Sequence, residues 1–377
     1  MSMDIAAHAP DTPLLTQDSL EKHGDDMMKT GLQTRLTAAL VLAAASAAAS
    51  SMAQASEVRV AWYGGNWGEA FKTCIADPFT ARTGIRVIPE IGTSNTTLAK
   101  LRQQQARPTI DVAFLDGGIS EIAQADGLLA ELDPAAVTNM ALLHPEAIYR
   151  DGRQQAFAVG AGYYSLGLTY NTSEITKAPE SWEALWDPAY AGAVIVPSPA
   201  NSAGVPFVVF LASISQTPLT DLSPVYQKLR RLDVTTYFDS SGAASNAFQS
   251  GEAVIGAHFN VGAWDLADKG LPIGFTVPKE GVWATDARLH LVKDAPQSEN
   301  GKQFINQALT PEAASCLAER LYLGPAVKDA VVPEAVAAKM PWGPTGSIAN
   351  LNLLDWTEVN SLRASITDAW NREVARQ

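Results

Sequence analysis

The chain has 377 residues, 47% of them hydrophobic, and a formal net charge of −13. That is enough for two lobes of roughly 150 residues each once an N-terminal segment is set aside. The acidic balance, with no basic stripe interleaved with aromatics, argues against a nucleic-acid partner.

Residues 1–55 carry the pattern of an export signal. Met28 to Arg35 is a short basic region, Leu36 to Ala47 is an apolar run too short to span a bilayer, and Ala53-Gln54-Ala55 is a small-residue cleavage site. Cleavage after Ala55 leaves a chain beginning at Ser56, and the polar stretch before Met27 points to a later start codon. Cys74 and Cys316 are the two cysteines. In an exported chain they are expected to pair, the alternative being two buried thiols. Neither has a Cys or His partner at metal-ligand spacing, so no zinc site is expected.

The fold begins at Val58-Arg59-Val60-Ala61-Trp62-Tyr63, a β-branched run that ends in an aromatic pair. Gly64-Gly65 then open a helix through Gly68 to Phe79, and the junction reads as one wall of a ligand cleft, since sheet edges of this kind hold ligands. A strand at Arg86 to Ile88 and a helix from Thr96 to Gln105 follow. Thr109 to Asp116 repeats the plan, with Gly117-Gly118 and a helix near Ile119, which sets Asp116 against Trp62 and Tyr63.

Ala156 to Asn171 is a glycine-laced extended run suited to a strand that leaves one lobe and enters another. The second lobe carries its own signals: a capped helix from Ser181 to Trp186, a strand from Gly192 to Pro197, a polar loop with Asn201 and Ser202, and an apolar helix around Phe207 to Ile214. Ser245 to Glu252 reads as a helix closed by Gly251, and Ala253 to Asn260 as a core strand in which His258 is a core histidine. Ile273 to Pro278 and Gly281 to Leu291 return to the first lobe, Glu299 to Leu323 is helical, and Trp356 to Ala375 is a terminal helix. The division expected is residues 56–157 with 287–345 as the first lobe, 158–286 as the second, and 346–377 as a helical segment packed on both.

Taken in order, Trp62-Tyr63-Gly64-Gly65, Pro78-Phe79 with Thr83-Gly84-Ile85, Asp111-Val112, Ser181-Trp182, Gly251-Glu252-Ala253, Pro278-Lys279-Glu280-Gly281 and Gly324-Pro325 resemble the extracellular solute-binding proteins of ABC importers, above all the spermidine/putrescine branch. The resemblance implies a periplasmic type II binding protein: two α/β lobes, two crossover strands, a cleft that closes on a solute, and delivery to a membrane permease. It implies no cofactor and a monomer. Asp286 corresponds to a carboxylate that holds an amine in the polyamine binders. Ala284 stands in place of an aromatic, Pro199 and Ser202 in place of an acidic pair, and Asp116 in place of a serine, so the second lobe has fewer acids than a polyamine clamp.

The candidate ligand residues are Trp62, Tyr63, Asp116, Tyr164, Asn201, Ser202, Asn260, Trp283 and Asp286, with Trp67 as a further aromatic wall. Aromatic faces attract an ammonium, and a buried carboxylate needs a cation. The solute expected is a small polar amine, with a small organic carboxylate as the alternative. Tyr163-Tyr164 is similar to the tyrosine pair of iron-binding relatives, but a ferric site also needs His or carboxylate partners, and this pair lies on the crossover run rather than in a second-lobe loop, so ferric binding is the lesser alternative. No nucleophile elbow, phosphate loop or zinc motif marks an enzyme.

Overall fold

The computed structural model describes residues 56–342 and 346–375. The expected signal segment and its cleavage site lie outside them. The strands are β1 (Glu57–Trp62), β2 (Arg86–Ile91), β3 (Val112–Asp116), β4 (Ile148–Arg150), β5 (Ala156–Asn171), β6 (Val194–Pro197), β7 (Val234–Phe238), β8 (Ile255–Phe259), β9 (Ile273–Thr276), β10 (Trp283–Leu291) and β11 (Gly324–Pro325). The α-helices are α1 (Asn66–Phe71), α2 (Asp77–Thr83), α3 (Ser94–Gln103), α4 (Ile119–Ala125), α5 (Gly204–Ile214), α6 (Ser223–Arg230), α7 (Ser241–Ser250), α8 (Asn260–Asp268), α9 (Ser298–Ala308), α10 (Pro311–Leu321), α11 (Glu334–Ala337) and α12 (Trp356–Glu373).

Among these residues the strands form one mixed sheet in the order β2-β1-β3-β10-β5-β8-β6-β7, with β4, β9 and β11 added on β5. β5 explains the continuity. Its first half pairs with β10 and β4, its second half with β8 and β9, and Leu166 lies against both Trp283 and Phe259. The parallel pairs β1/β2 and β1/β3 make one half-sheet and β6/β7 and β6/β8 the other, each covered by helices as parallel strands require. Two α/β lobes are thus joined by two antiparallel crossover strands, β5 and β10.

Several elements differ in detail from the sequence expectation. The helix after Gly65 is interrupted: α1 passes into a π-helical turn at Lys72–Ala76 and restarts at α2, where Pro78 sits in the first turn. Ser181 caps only a 3₁₀ turn, Trp182–Trp186. The helix before Gly251 begins four residues earlier than expected, at Ser241, because Ser240 accepts a hydrogen bond from the Ala243 N–H and caps it there. The run Glu299 to Leu323 is two helices, parted at Thr310-Pro311. Cys74, in the π-helical turn, is bonded to Cys316 of α10, with the Cα atoms 5.6 Å apart.

Candidate functional site

Strand alternation determines which side chains reach the space between the lobes. Directly opposed residues on neighbouring strands share a face. Asp116 of β3 opposes Ala287 of β10, and two positions back on β10 Thr285 opposes Tyr164 of β5. Asp116 and Tyr164 therefore share one face of the sheet. Asp286 and its opposite neighbour Tyr163 lie on the other.

The shared face opens into a cleft of about 660 Å³ lined from both lobes. The first lobe contributes Tyr63, Gly64-Gly65, Trp67, the start of α3 and Asp116; the crossover contributes Tyr164; the second contributes Asn201, Ser202, Asp239, Ser240 to Gly242, Ser245, Phe259 and Gly262. Asp116 is at its centre. Its Oδ1 accepts the Tyr63 hydroxyl at 2.7 Å and the Tyr164 hydroxyl at 2.5 Å, its own N–H donates to Ser94 Oγ at 3.0 Å, and no described residue donates to Oδ2. Burial, together with the Asp116 charge, pushes both phenols well above their ordinary range, so they stay protonated donors. Trp67 stands edge-on to Tyr63 at 5.3 Å and to Tyr164 at 5.2 Å, and Phe259 adjoins Tyr164 at 4.8 Å, so the carboxylate sits within an aromatic box.

On the opposite lip, Asp239 follows β7 and precedes the Ser240 cap of α7. Its Oδ1 accepts the Ser198 hydroxyl at 2.5 Å. Asn201 has its Oδ1 engaged in a turn with the Ala203 N–H. The rim is bridged where Asn95 Nδ2 of α3 donates to the Ala200 carbonyl of the second lobe at 2.6 Å. Among the described lining residues are two carboxylates, Asp116 and Asp239, and no Lys, Arg or His.

Of the residues expected from the sequence, Tyr63, Asp116, Tyr164, Asn201, Ser202 and Trp67 line this cleft. Four others do not. Trp62 is buried under α1 against Phe71. Asn260 is fully buried and fastens the chain, accepting from the Ser165 N–H and donating to the Tyr322 carbonyl. Trp283 is buried between Phe259 and Trp356. Asp286, on the far face, accepts the Tyr149 hydroxyl at 2.7 Å and pairs with Arg288 Nε at 2.8 Å, so a cation already neutralises it. Tyr163 and Tyr164 point to opposite faces and do not form a pair.

Asp239 went unnoticed in the sequence. The signal was present: Thr236-Tyr237-Phe238 followed by Asp239-Ser240-Ser241 is an apolar strand end running into an N-cap, the junction that flags Asp116. His258 is fully buried, as a core histidine would be, but adjoins the cleft wall, its Nε2 lying 3.2 Å from Ser245 Oγ.

Comparison with known proteins agrees with this architecture. Over 68% of its length the chain is 24% identical to the spermidine/putrescine-binding periplasmic protein of Escherichia coli K12, of which 74% is covered. A gamma-aminobutyric acid-binding protein of Pseudomonas aeruginosa is 23% identical over 79% of this chain and 85% of its own. The crystal structure of the PBP MotA from A. tumefaciens B6 in complex with glucopine superposes with a TM-score of 0.72 at 18% identity, covering 84% of this chain and 99% of that one. These relatives are transport-binding proteins, and the fold is that of type II periplasmic binding proteins. Residues 75–341 match the model of the bacterial extracellular solute-binding proteins, and the chain belongs to that family, the solute-binding components of ABC transporters.

Proposed function

We propose that this protein is exported, loses its signal peptide after Ala55, and acts in the periplasm as a monomeric binder that closes on an amine-bearing solute and passes it to an ABC permease. One observation carries the choice of solute: the cleft presents carboxylates from both lobes, Asp116 and Asp239, with no basic side chain among its described lining residues. Oδ2 of Asp116, to which no described residue donates, and the faces of Trp67 and Tyr164 suit an ammonium, and Asp239 on the opposite lip offers a second amine a partner. Closure brings together residues 56–157 and 287–345 on one side and 158–286 on the other. On this reading the cleft binds rather than catalyses, in keeping with the transport-binding proteins among its relatives.

A second reading has its own support. Ser240, Ser241 and Gly242 start α7 at the cleft, and N–H groups at a helix N-terminus favour an anionic group, so an amino acid with its ammonium at Asp116 also fits. Names among the relatives, spermidine/putrescine and gamma-aminobutyric acid, span both classes.

Thermal melts with 1,4-diaminobutane, 4-aminobutanoate and butanedioate separate the readings. A ligand at a hundredfold excess over its Kd raises the melting temperature by about 5 °C. A rise with the diamine supports the first reading, and a rise with the amino acid alone supports the second. Stabilisation by the dicarboxylate alone overturns the amine assignment.

A further inference from the structure

The C-terminal helix α12 touches the chain behind both cleft carboxylates. At its start, the Trp356 ring roofs the Gly117-Gly118 turn that follows Asp116; a Cβ placed on Gly118 would come within 2.6 Å of that ring. Asn360 Nδ2 donates to the Gly118 carbonyl at 2.8 Å, and Arg363 is in turn fastened to Asn360 Oδ1. The same turn is tied from within, the Gly118 N–H donating to Glu121 and the Gly117 N–H to the Asp286 carbonyl. Near its end, α12 places Trp370 edge-on against Tyr237 of β7, ring centroids 5.1 Å apart and two residues before Asp239. Between these ends it packs on α5, whose N-terminus follows Asn201 and Ser202, and on α6. Trp370 is 2% exposed and Ile366 fully buried, so these are packed contacts. An 18-residue helix spans about 27 Å and does not shorten.

We propose that α12 is a specificity-determining strut: by bracing the Asp116 turn of one lobe and the Asp239 strand of the other, it fixes the spacing of the two carboxylates in the closed cleft and so selects solutes by length. This rests on the reading that the cleft takes amines at Asp116 and Asp239. Neither Trp356 nor Trp370 touches the solute in this scheme, so they act through the elements they brace. Loosening either end widens the range of spacings without removing a ligand contact.

The test uses the mature protein and two variants, Trp370→Leu at the second-lobe end and Asn360→Ala at the first. Titration calorimetry with α,ω-diamines of three to six carbons is expected to show a preferred length in the parent, with the ratio of the best to the next length falling at least threefold in each variant. Equal loss of affinity at all lengths, as a merely destabilised fold gives, overturns the strut. Spin labels at Gln103→Cys and Gln249→Cys, with the native disulfide intact, report the interlobe distance without any ligand. A broadened distance distribution in the variants is expected, and an unchanged one overturns the proposal. If the parent binds no diamine, the amine reading fails while the distance measurement still decides the strut; Asn360→Ala, which removes the hydrogen bond to the Gly118 carbonyl and the two from Arg363 while leaving the packed core of α12 intact, keeps the test valid should Trp370→Leu not fold.

Discussion

Two phenols donate to one carboxylate oxygen of Asp116 and no described residue donates to the other, so on the proposed reading a cation is the partner that completes this box of rings. Asp116→Asn is therefore expected to cut amine affinity at least tenfold, about 1.4 kcal/mol or more, by calorimetry against the parent. Tyr164→Phe, which removes one donor and keeps the ring, should cost about 0.5–1.5 kcal/mol. His258 and His290 give a pH signature. Burial pushes their pKa values down to about 4 and about 3, so the folded state holds them neutral while the unfolded chain takes up protons below about 6.5. Their contribution is intact above that pH and is lost as pH falls towards 4, at about 1.4 kcal/mol per pH unit for each. Urea unfolding at pH 7, 5.5 and 4.5 should show that slope, and His258→Gln should reduce it by one histidine's share. That Asp116, Tyr63 and Tyr164 meet at one cleft was legible because a strand end and a crossover strand announce themselves in the residue pattern. Asp286 misled because the sequence does not display the parity of β10, and one position decides between cleft and core.

The two β-Gly-Gly-α junctions were also legible, since a buried apolar run followed by paired glycines permits few other backbones. What differed was what each diglycine serves. Gly64-Gly65 faces the cleft, whereas Gly117-Gly118 lies under Trp356, a contact between residues far apart in sequence that no local pattern reveals. Gly118 has φ +89° and no room for a methyl group, so Gly118→Ala should destabilise by about 2 kcal/mol or more, measured by denaturant midpoint. The apolar strands at the centre of the sheet read clearly. β7 did not, being half-polar, and with it went Asp239. The break in the first helix follows from Pro78, whose ring and missing N–H fit a new helix start better than an interior position. The bond from Cys74 to Cys316 closes a separation of 242 residues, and the double Cys→Ala variant should lose about 2–4 kcal/mol of stability.

At the scale of the molecule, one sheet runs through both lobes by way of β5, so the proposed closure would twist shared strands at a hinge built into the sheet. The Asn95–Ala200 hydrogen bond joins the rims only when they meet. Asn95→Ala should therefore leave the association rate of a solute nearly unchanged and speed its dissociation about threefold or more, as a lost hydrogen bond of about 1 kcal/mol implies; stopped-flow fluorescence from Trp67 would register both rates. The crossing of the two lobes was legible in the long glycine-laced run of β5. The bracing by α12 was not, because it depends on where the end of the chain comes to rest. The Cys74–Cys316 link also orders events in time. On the proposed division the second lobe is one continuous stretch, residues 158–286, whereas the first needs β10, α9 and α10 to join its early strands, so its oldest residues wait for its youngest. Until residue 316 appears, Cys74 is an unpaired thiol in an unfinished lobe. With two cysteines in the sequence, no mispairing within the chain is available to it, and the competitors for Cys74 are partner chains and small thiols.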